Sequence, residues 1–505
     1  MEKKQKRINS KILHWVEIGG NALPHPASLF AILAFIVIIL SFIGNAFHWH
    51  AIHPGTGEDI KTINLISKDG LHRILLDMVD NYTGFAPLGI VMVALLGIGV
   101  AESSGLVSAF IRLVVAKSPK KLLTFVIVMA AIVSNTASDL GYVLLIPMGA
   151  VIFHSVGRHP IAGMAAAFAG VSGGFSANLL IGTIDPLLAG LSTEAARILD
   201  ADYYVLPTAN YYFMVVSTIV LSFTGTWITH RFVEPRLGKY SGDVPQEKMG
   251  ELNPKEKKGL LWVLIITVAI GFVIAFGLIP SNGLLRGDDG TLLTSPVLKG
   301  FIAILFITAT IMGGVYGFIT GKFRNDADVI KGMVDNFKTL ASFLVLVFFA
   351  AQFVAYFKWS NLGLIIGIKG ADLMQNMDMG LIPLVILFVI LSGFINMFMG
   401  SASAKWAILG PVFIPMFMLM GYSPELSQVV YRIGDSVTNM ISPMMSFFAL
   451  ILVYFEKYDK RAGIGTLVST MLPYSVAFFI TWTLLLVVWI LFDIPLGPGA
   501  GLYYP

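Results

Sequence analysis

Five ionisable side chains stand within stretches of sequence that are otherwise apolar. They are Asp139, Asp185, Lys405, Arg432 and Asp435. Because a charge is costly to place in apolar surroundings, each of them is a candidate functional residue. Arg432 and Asp435 are three residues apart and share one face of a helix. They could form a salt bridge that binds nothing, or Arg432 could face an anionic substrate while Asp435 handles a coupling ion or proton.

Asp185 belongs to the segment S-A-N-L-L-I-G-T-I-D-P, in which Gly182 and Pro186 weaken a helix and leave backbone carbonyls free. Those carbonyls, together with Asn178, Thr183 and the Asp185 carboxylate, could bind a hard cation or a proton. The alternative is that Asp185 merely caps a helix near the outer interface. A second segment, D-S-V-T-N-M-I-S-P, combines oxygen ligands with a helix breaker in the same way, at Thr438, Asn439, Ser442 and Pro443.

These segments lie in two stretches, 134–186 and 398–447, that resemble each other. Aligning Pro147 with Pro411 gives a constant offset of 264 residues, at which Tyr142 falls on Trp406. Paired interrupted apolar segments in corresponding halves of a chain are typical of the midplane site of a secondary transporter.

The start of each stretch is a short polar segment with small hydroxyl and amide side chains, where backbones can approach closely. It contains Ser134, Asn135 and Thr136 in the first copy, and Ser401 and Ser403 in the second. Half-helices that begin after such tips would point their positive dipole ends at an anion. The alternative is ordinary helix packing through small residues.

Residues around the second tip could complete a binding site. Asn396 could add a hydrogen bond and Trp406 an aromatic wall, although a single buried Trp often serves only packing. Lys405 follows Ser401 by four residues, so a Ser/Lys nucleophile pair of an intramembrane hydrolase is a remote alternative. No metalloprotease, Walker A or dinucleotide-binding motif occurs, and without cysteine the chain has no thiolate chemistry.

Composition predicts an all-α polytopic membrane protein. Of its 505 residues, 56% are hydrophobic and 13% are charged. Apolar runs of about 20 residues, enough to cross a bilayer, predict nine transmembrane spans, centred at 27–47, 85–116, 161–190, 211–230, 259–279, 298–320, 340–357, 425–455 and 471–492. Two more apolar regions, 121–153 and 381–420, are split by polar centres and are interpreted as re-entrant hairpins.

The distribution of basic residues supports this topology. With the N-terminus in the cytoplasm and the C-terminus outside, inside segments hold 24 of the 34 Lys and Arg residues and outside segments hold 8. The hairpins then open from opposite sides, so the repeats, 85–190 and 340–455, are inverted. Their predicted parts are hairpins 121–153 and 381–420 and broken helices 161–190 and 425–455. Helices in 211–320 connect them and would serve as scaffold or dimer contact. The net charge of +4 reflects topology, and no nucleic acid partner is expected.

Several long blocks resemble the p-aminobenzoyl-glutamate transporter family. They include W-V-E-I-G-G-N-A-L-P-H-P near the N-terminus, G-F-S-A-N-L-L-I-G-T-I-D-P-L-L-A-G-L at 174–191 and S-A-S-A-K-W-A-I-L-G-P-V-F-I-P at 401–415. The resemblance implies nine spans with two opposed hairpins, a fold similar to the divalent anion/sodium symporters, and a homodimer in the bacterial inner membrane. It also implies family functional residues at Asp185, Asn396, Ser403, Trp406, Pro424, Arg432, Asp435, Asn439 and Pro443.

The expected function is cation-coupled secondary transport of p-aminobenzoyl-glutamate and related folate-derived aromatic compounds, with sulfonamide export as a further activity. The first tip reads Ser-Asn-Thr, as in sodium-coupled dicarboxylate carriers, so proton and sodium coupling both stay open, and a dicarboxylate or citrate carrier is the alternative. No cofactor is expected. Predicted substrate-binding residues are Asn396, Ser401, Ser403, Trp406, Arg432 and Pro443. Predicted ion-coupling residues are Ser134, Asn135, Thr136, Asn178, Asp185, Asp435, Thr438 and Asn439, with a candidate sodium site at Asn135, Asp435 and Asn439.

Overall fold

A computed structural model describes residues 26–53, 56–116, 119–137, 141–242, 244, 252–280, 282–287, 295–339, 341–376 and 380–504. Asp139 and the basic N-terminal residues, on which part of the sequence prediction depends, lie outside the described residues.

The described chain is almost entirely helical. The helices are α1 Pro26–Ala46, α2 Lys68–Leu76, α3 Met78–Thr83, α4 Ala86–Ser103, α5 Leu106–Ala116, α6 Leu123–Val133, α7 Ile146–Ser155, α8 Pro160–Phe168, α9 Ile184–Ala196, α10 Tyr211–Ile228, α11 Glu234–Leu237, α12 Pro254–Leu278, α13 Pro296–Lys299, α14 Phe301–Thr320, α15 Asp326–Thr339, α16 Ala341–Trp359, α17 Leu362–Asn376, α18 Leu381–Asn396, α19 Ala402–Leu419, α20 Pro424–Asn439, α21 Phe448–Tyr458 and α22 Ile464–Leu491. Short 3₁₀ or π turns extend several of them, at Lys120–Leu122, Ser134–Ala137, Gly141–Leu145, Ala169–Gly173 and Thr229–Val233.

Six helices in the described residues are long and apolar enough to cross a membrane, or seven if the pair α15 and α16 forms one bent span. Among the six is α19, which the sequence assigns to the second hairpin. The predicted spans 161–190 and 425–455 are interrupted, as expected: α8 and α9 are separated by non-helical backbone, and so are α20 and α21. Shorter helices therefore carry much of the predicted membrane-spanning sequence.

One predicted span is wrong as a single helix. Residues 85–116 form two helices, α4 and α5, divided at Ser104 and Gly105. Gly105 has a φ of +82°, a left-handed conformation that ends the first helix and that glycine adopts without steric cost. Glu102, Ser103 and Ser104 interrupt the apolar run just before this glycine, so the sequence did carry a signal for the break.

The two stretches related by the offset of 264 contain the same turn. Gly157 and Gly421 occupy aligned positions and have φ values of +78° and +84°. The following residue in each copy donates its backbone N–H to a helix carbonyl, from Arg158 to Phe153 at 2.8 Å and from Tyr422 to Phe417 at 2.9 Å. A proline then occupies the first turn of the next helix, α8 or α20. The sequence repeat is thus a repeat of local structure.

Helix α20 lies at the centre of the packing. It contacts α18, α19, α22 and α9, and also the π turn that extends α8. Every residue from Pro424 to Val437 is buried, although the helix is rich in polar side chains. Neighbouring helices surround α20 on every face, so those polar groups must find partners within the protein.

The segment between α1 and α2 contains a small sheet. Two short strands, β1 His50–Ile52 and β2 Asp59–Lys61, pair antiparallel, with His50 opposite Lys61. On the exposed face, the His50 ring nitrogen lies 2.7 Å from the Asp59 carboxylate, and this hydrogen bond lowers the pKa of Asp59. This sheet is far from the candidate site in the chain.

Close contact between α14 and α4 generates a first prediction. A methyl group on Gly313 would lie 2.6 Å from the Ala101 backbone nitrogen, whereas one on Gly314 would meet no described atom within 4 Å. Gly313→Ala should therefore lower stability by about 1–3 kcal/mol through overpacking. The adjacent Gly314→Ala should be neutral or stabilising, because alanine favours the helix by up to about 1 kcal/mol. Thermal unfolding of the two detergent-solubilised variants tests this, and equal midpoints would contradict the helix contact.

Candidate functional site

Two buried ion pairs meet on α20. Arg432 donates from one terminal nitrogen to Asp185 Oδ1 at 2.6 Å and to the Ser176 carbonyl at 3.2 Å. Lys405 Nζ lies 2.5 Å from Asp435 Oδ1. All four charged side chains are at most 3% exposed. The alternative of a salt bridge between Arg432 and Asp435 is therefore wrong, because each of them pairs with a residue from another helix.

Asp185 has two roles at the start of α9. Its Oδ1 accepts from Arg432, and its Oδ2 accepts from the Gly182 backbone N–H at 2.7 Å. Gly182 lies before the helix, and Thr183, the N-cap residue of α9, makes no side-chain cap hydrogen bond, so the alternative of a helix cap near the outer interface is not supported. The carboxylate is buried against α20. The pair with Arg432 connects the first broken helix to the second.

Asn396, the last residue of α18, is the centre of a polar cluster. Its side-chain amide lies 2.7 Å from the Asp435 carbonyl, 2.8 Å from Thr438 Oγ1 and 2.8 Å from Asn439 Oδ1. Its Oδ1 accepts from Lys405 Nζ, and its backbone carbonyl accepts from Ser442 Oγ at 3.1 Å. Several predicted site residues that are far apart in sequence therefore share one network.

The second tip forms a helix start and does not build a nucleophile. Ser401 caps α19 by accepting from the Ala404 N–H at 3.3 Å, and its Oγ lies 3.4 Å from Ser403 Oγ. Lys405 Nζ instead bonds Asn396 and Asp435. The Ser/Lys hydrolase hypothesis therefore lacks the hydrogen bond that it requires.

Trp406 is fully buried between α9 and α20. Its ring stacks on Tyr431, with centroids 4.5 Å apart, and the Tyr431 hydroxyl lies 3.3 Å from Asp435 Oδ1. The indole N–H donates to Ser192 Oγ at 2.9 Å, and Ser192 donates to Gln428 at 2.6 Å. The ring of this predicted aromatic residue is therefore fixed by stacking, and its N–H is fixed by a hydrogen bond.

Sequence reasoning missed the residues that orient Trp406. Gln428 also donates to Asn210 Oδ1 at 2.8 Å, which connects the indole to the residue just before α10. A signal was available, since Gln428 lies one turn before Arg432 on α20 and is polar in a buried helix. Ser192 and Asn210 gave no comparable signal, because a single small polar residue is common in membrane helices.

The first tip forms a separate cluster that contains no charged side chain among the described residues. Asn135 donates to the Val171 carbonyl at 3.1 Å, and Thr136 donates to Asn178 Oδ1 at 3.2 Å. Ser134 is buried and donates to the Ala131 carbonyl. A methyl group on Gly182 would lie 3.0 Å from the Asn135 carbonyl, so the tip packs against the break of the first broken helix.

The candidate sodium ligands are divided between the two clusters. Asn135 belongs to the first tip, whereas Asp435 and Asn439 contact Asn396 or Lys405. Within the described part of the chain, no hydrogen bond joins Asn135 to either of the other two. The sodium site therefore stays a prediction.

Unpaired polar atoms mark where a ligand could bind. Among the described residues, Arg432 Nε, its other terminal nitrogen, Asp435 Oδ2 and Asn135 Oδ1 are buried without a hydrogen-bond partner. Such atoms are rare in folded proteins and require an explanation. Ser401, Ser403, Thr438 and Pro443 are partly exposed, so the second tip has an accessible side.

Known transporters resemble this chain over nearly its whole length. Residues 11–504 match the AbgT putative transporter family. The p-aminobenzoyl-glutamate transport protein of Escherichia coli (strain K12) is 38% identical over 492 residues, which cover 97% of each chain. The crystal structure of the Alcanivorax borkumensis YdaH transporter is 44% identical, with a TM-score of 0.90 over 94% of this chain and 100% of that one. The structure of Neisseria gonorrhoeae MtrF, from a class of antimetabolite efflux pumps, is 48% identical, with a TM-score of 0.92 over 97% and 100%.

The apolar helices and the relatives define a multi-pass membrane transporter. The chain belongs to the AbgT family, a family of transporters and not of enzymes. The resemblance noted in the sequence is confirmed over nearly the whole chain.

A double-mutant cycle tests the ion-pair assignment. Asp185→Asn and Arg432→Met should each destabilise the protein, since removing one partner leaves a buried charge uncompensated at a cost of about 3–5 kcal/mol. The double variant should lose less than the sum, with a coupling energy of about 1–3 kcal/mol. The cycle that combines Arg432→Met with Asp435→Asn serves as the control. If that control showed the larger coupling in thermal or denaturant unfolding, the assigned partners would be wrong.

Proposed function

We propose that the chain is a cation-coupled secondary transporter that moves p-aminobenzoyl-glutamate and related folate-derived aromatic compounds by alternating access. The curated relative carries that substrate in its name and matches this chain from end to end. Buried polar clusters beside two interrupted helices are the arrangement that such transporters use at their binding sites.

Arg432 carries the proposal for an anionic substrate. Its guanidinium uses one terminal nitrogen for Asp185 and Ser176, while Nε and the other terminal nitrogen have no partner among the described residues. Guanidinium donors in this planar fork match the geometry of a carboxylate. p-Aminobenzoyl-glutamate has two carboxylates, and its aminophenyl ring suits the stacked pair Trp406 and Tyr431.

The finer architecture belongs to the same proposal. Nine spans and two re-entrant hairpins form inverted repeats, as in the divalent anion/sodium symporters, and two copies associate as a homodimer in the bacterial inner membrane. The N-terminus is cytoplasmic and the C-terminus lies outside. The excess of basic residues on the inside and the repeated turn at Gly157 and Gly421 support this arrangement.

Export of sulfonamide antimetabolites is a second candidate activity. The likeness to MtrF, from a class of antimetabolite efflux pumps, favours it. A sulfonamide shares the aminophenyl ring of p-aminobenzoyl-glutamate but lacks the carboxylates, so it would use the aromatic pair and not Arg432.

Counterflow of labelled p-aminobenzoyl-glutamate in proteoliposomes tests the proposed function. We expect saturable exchange, accelerated by either a sodium or a proton gradient when each is imposed separately. Asp435→Asn should slow exchange strongly, because this carboxylate compensates the buried Lys405 ammonium and accepts from the Tyr431 hydroxyl. Counterflow of labelled succinate that unlabelled p-aminobenzoyl-glutamate does not inhibit would support the dicarboxylate carrier. If neither gradient changed the rate, ion coupling would be excluded.

Arg432→Lys tests carboxylate recognition. Lysine keeps the charge but loses the planar fork, so KM for p-aminobenzoyl-glutamate should rise by about 10-fold or more. Binding of a sulfonamide, which has no carboxylate, should change much less. Arg158→Lys is the control, because Arg158 also pairs with a carboxylate, that of Glu234, through two of its nitrogens and away from the site. Equal losses for both ligands would contradict the role assigned to Arg432.

A further inference from the structure

We propose that Lys405 supplies a built-in cation: its ammonium group occupies, in the second repeat, the position that a free monovalent cation would take. The positive charge in the second repeat would then be part of the protein itself. Only the first repeat could exchange a cation with the solution. The meaning of this inference for transport rests on the proposed ion coupling, whereas its test does not.

Equivalent hydrogen bonds place the two tips in register. Asn135 donates to the Val171 carbonyl at 3.1 Å, and Asn396 donates to the Asp435 carbonyl at 2.7 Å. The two asparagines are 261 residues apart, and the two acceptors are 264 apart. The second tip is therefore three residues longer, and Asn396 is the counterpart of Asn135.

An independent contact gives the same register. A methyl group on Gly170 would lie 2.6 Å from the Val128 carbonyl, and one on Gly434 would collide with the Val389 carbonyl. The glycines are again 264 residues apart and the carbonyls 261 apart. The first arm of each hairpin thus packs on the first part of its broken helix in the same way.

The two repeats differ in the charged residues at this position. At the offset of 264, Lys405 aligns with Gly141 and Asp435 aligns with Val171. A methyl group on Gly141 would collide with Ser134 Oγ and approach Val171, so the first copy has no room for a side chain at this position. The second copy has gained an ammonium and a carboxylate together, which keeps the site neutral.

The surroundings of the ammonium are those of a bound cation. Lys405 Nζ is contacted by Asp435 Oδ1 and by the amide oxygen of Asn396, and the side chain is fully buried. Amide and carboxylate oxygens are the ligands that hard monovalent and divalent cations prefer. In the first copy, the corresponding amide oxygen, Asn135 Oδ1, is buried and has no partner among the described residues. Asn396 Oδ1 thus accepts from the Lys405 ammonium, whereas Asn135 Oδ1 has no such positively charged partner among the described residues.

Replacing the lysine should open the second site to sodium. In Lys405→Ala, the shortened side chain leaves Asn396 Oδ1 and Asp435 free to bind Na⁺. Na⁺ should therefore raise the melting temperature of this variant by about 5 °C more than that of the wild type, since a ligand of the folded state stabilises it by mass action. The measurement is thermal unfolding in detergent, with NaCl compared against choline chloride at equal ionic strength.

Two further variants distinguish the effect of the exposed carboxylate from the effect of the cavity left by the lysine side chain. Lys405→Met fills the cavity with an uncharged chain, and the double variant Lys405→Ala, Asp435→Asn removes the carboxylate, so both should respond to Na⁺ as the wild type does. The proposal would be overturned if Na⁺ raised the melting temperature of Lys405→Ala no more than that of the wild type. It would also be overturned if Na⁺ stabilised Lys405→Met as much as Lys405→Ala. Failure to recover Lys405→Ala as folded protein in NaCl would do so as well, whether or not the double variant folds. Since no substrate is used, a failure of the proposed transport activity would be seen separately in the counterflow assay.

Discussion

Two buried ion pairs on one helix constrain the rest of this transporter. Arg432 and Asp435 both lie on α20, yet their partners, Asp185 and Lys405, come from α9 and α19. Leaving one such charge unpaired in a dry interior would cost about 3–5 kcal/mol, so the three helices must stay in register. The polar centre of the protein is therefore held together by contacts that no single segment can make alone.

The pairs also explain how the repeats cooperate. The bond from Arg432 to Asp185 crosses from the second broken helix to the first, whereas the bond from Lys405 to Asp435 stays within the second copy. The first tip, by contrast, uses only amide and hydroxyl groups among the described residues. On the proposed mechanism, substrate recognition depends mainly on the C-terminal half and an exchangeable cation on the N-terminal half.

Trp406 shows what the proposed transport cycle must change. Its ring is covered by Tyr431 and its N–H is satisfied by Ser192 on α9, so it has no free surface in this conformation. Contact with an aromatic substrate would require α19 to move relative to α9. Arg432 has unpaired nitrogen atoms, but these are buried too, so an anion would also require a movement that exposes them.

The sequence by itself determined the class of protein, the repeated segments and most of the candidate residues. Hydropathy and charge depend on local composition, and the shared turn at Gly157 and Gly421 depends on short-range backbone preferences, so both can be predicted from the chain. Only the tertiary structure decided which charges pair. Spacing placed Arg432 and Asp435 on one helical face and left their pairing open, whereas in the structure each pairs with a residue of another helix. Ser192, Gln428 and Asn210 acquired their role only through contacts between distant segments. Ion-pair choice depends on three-dimensional distance and burial, which spacing along one helix cannot supply.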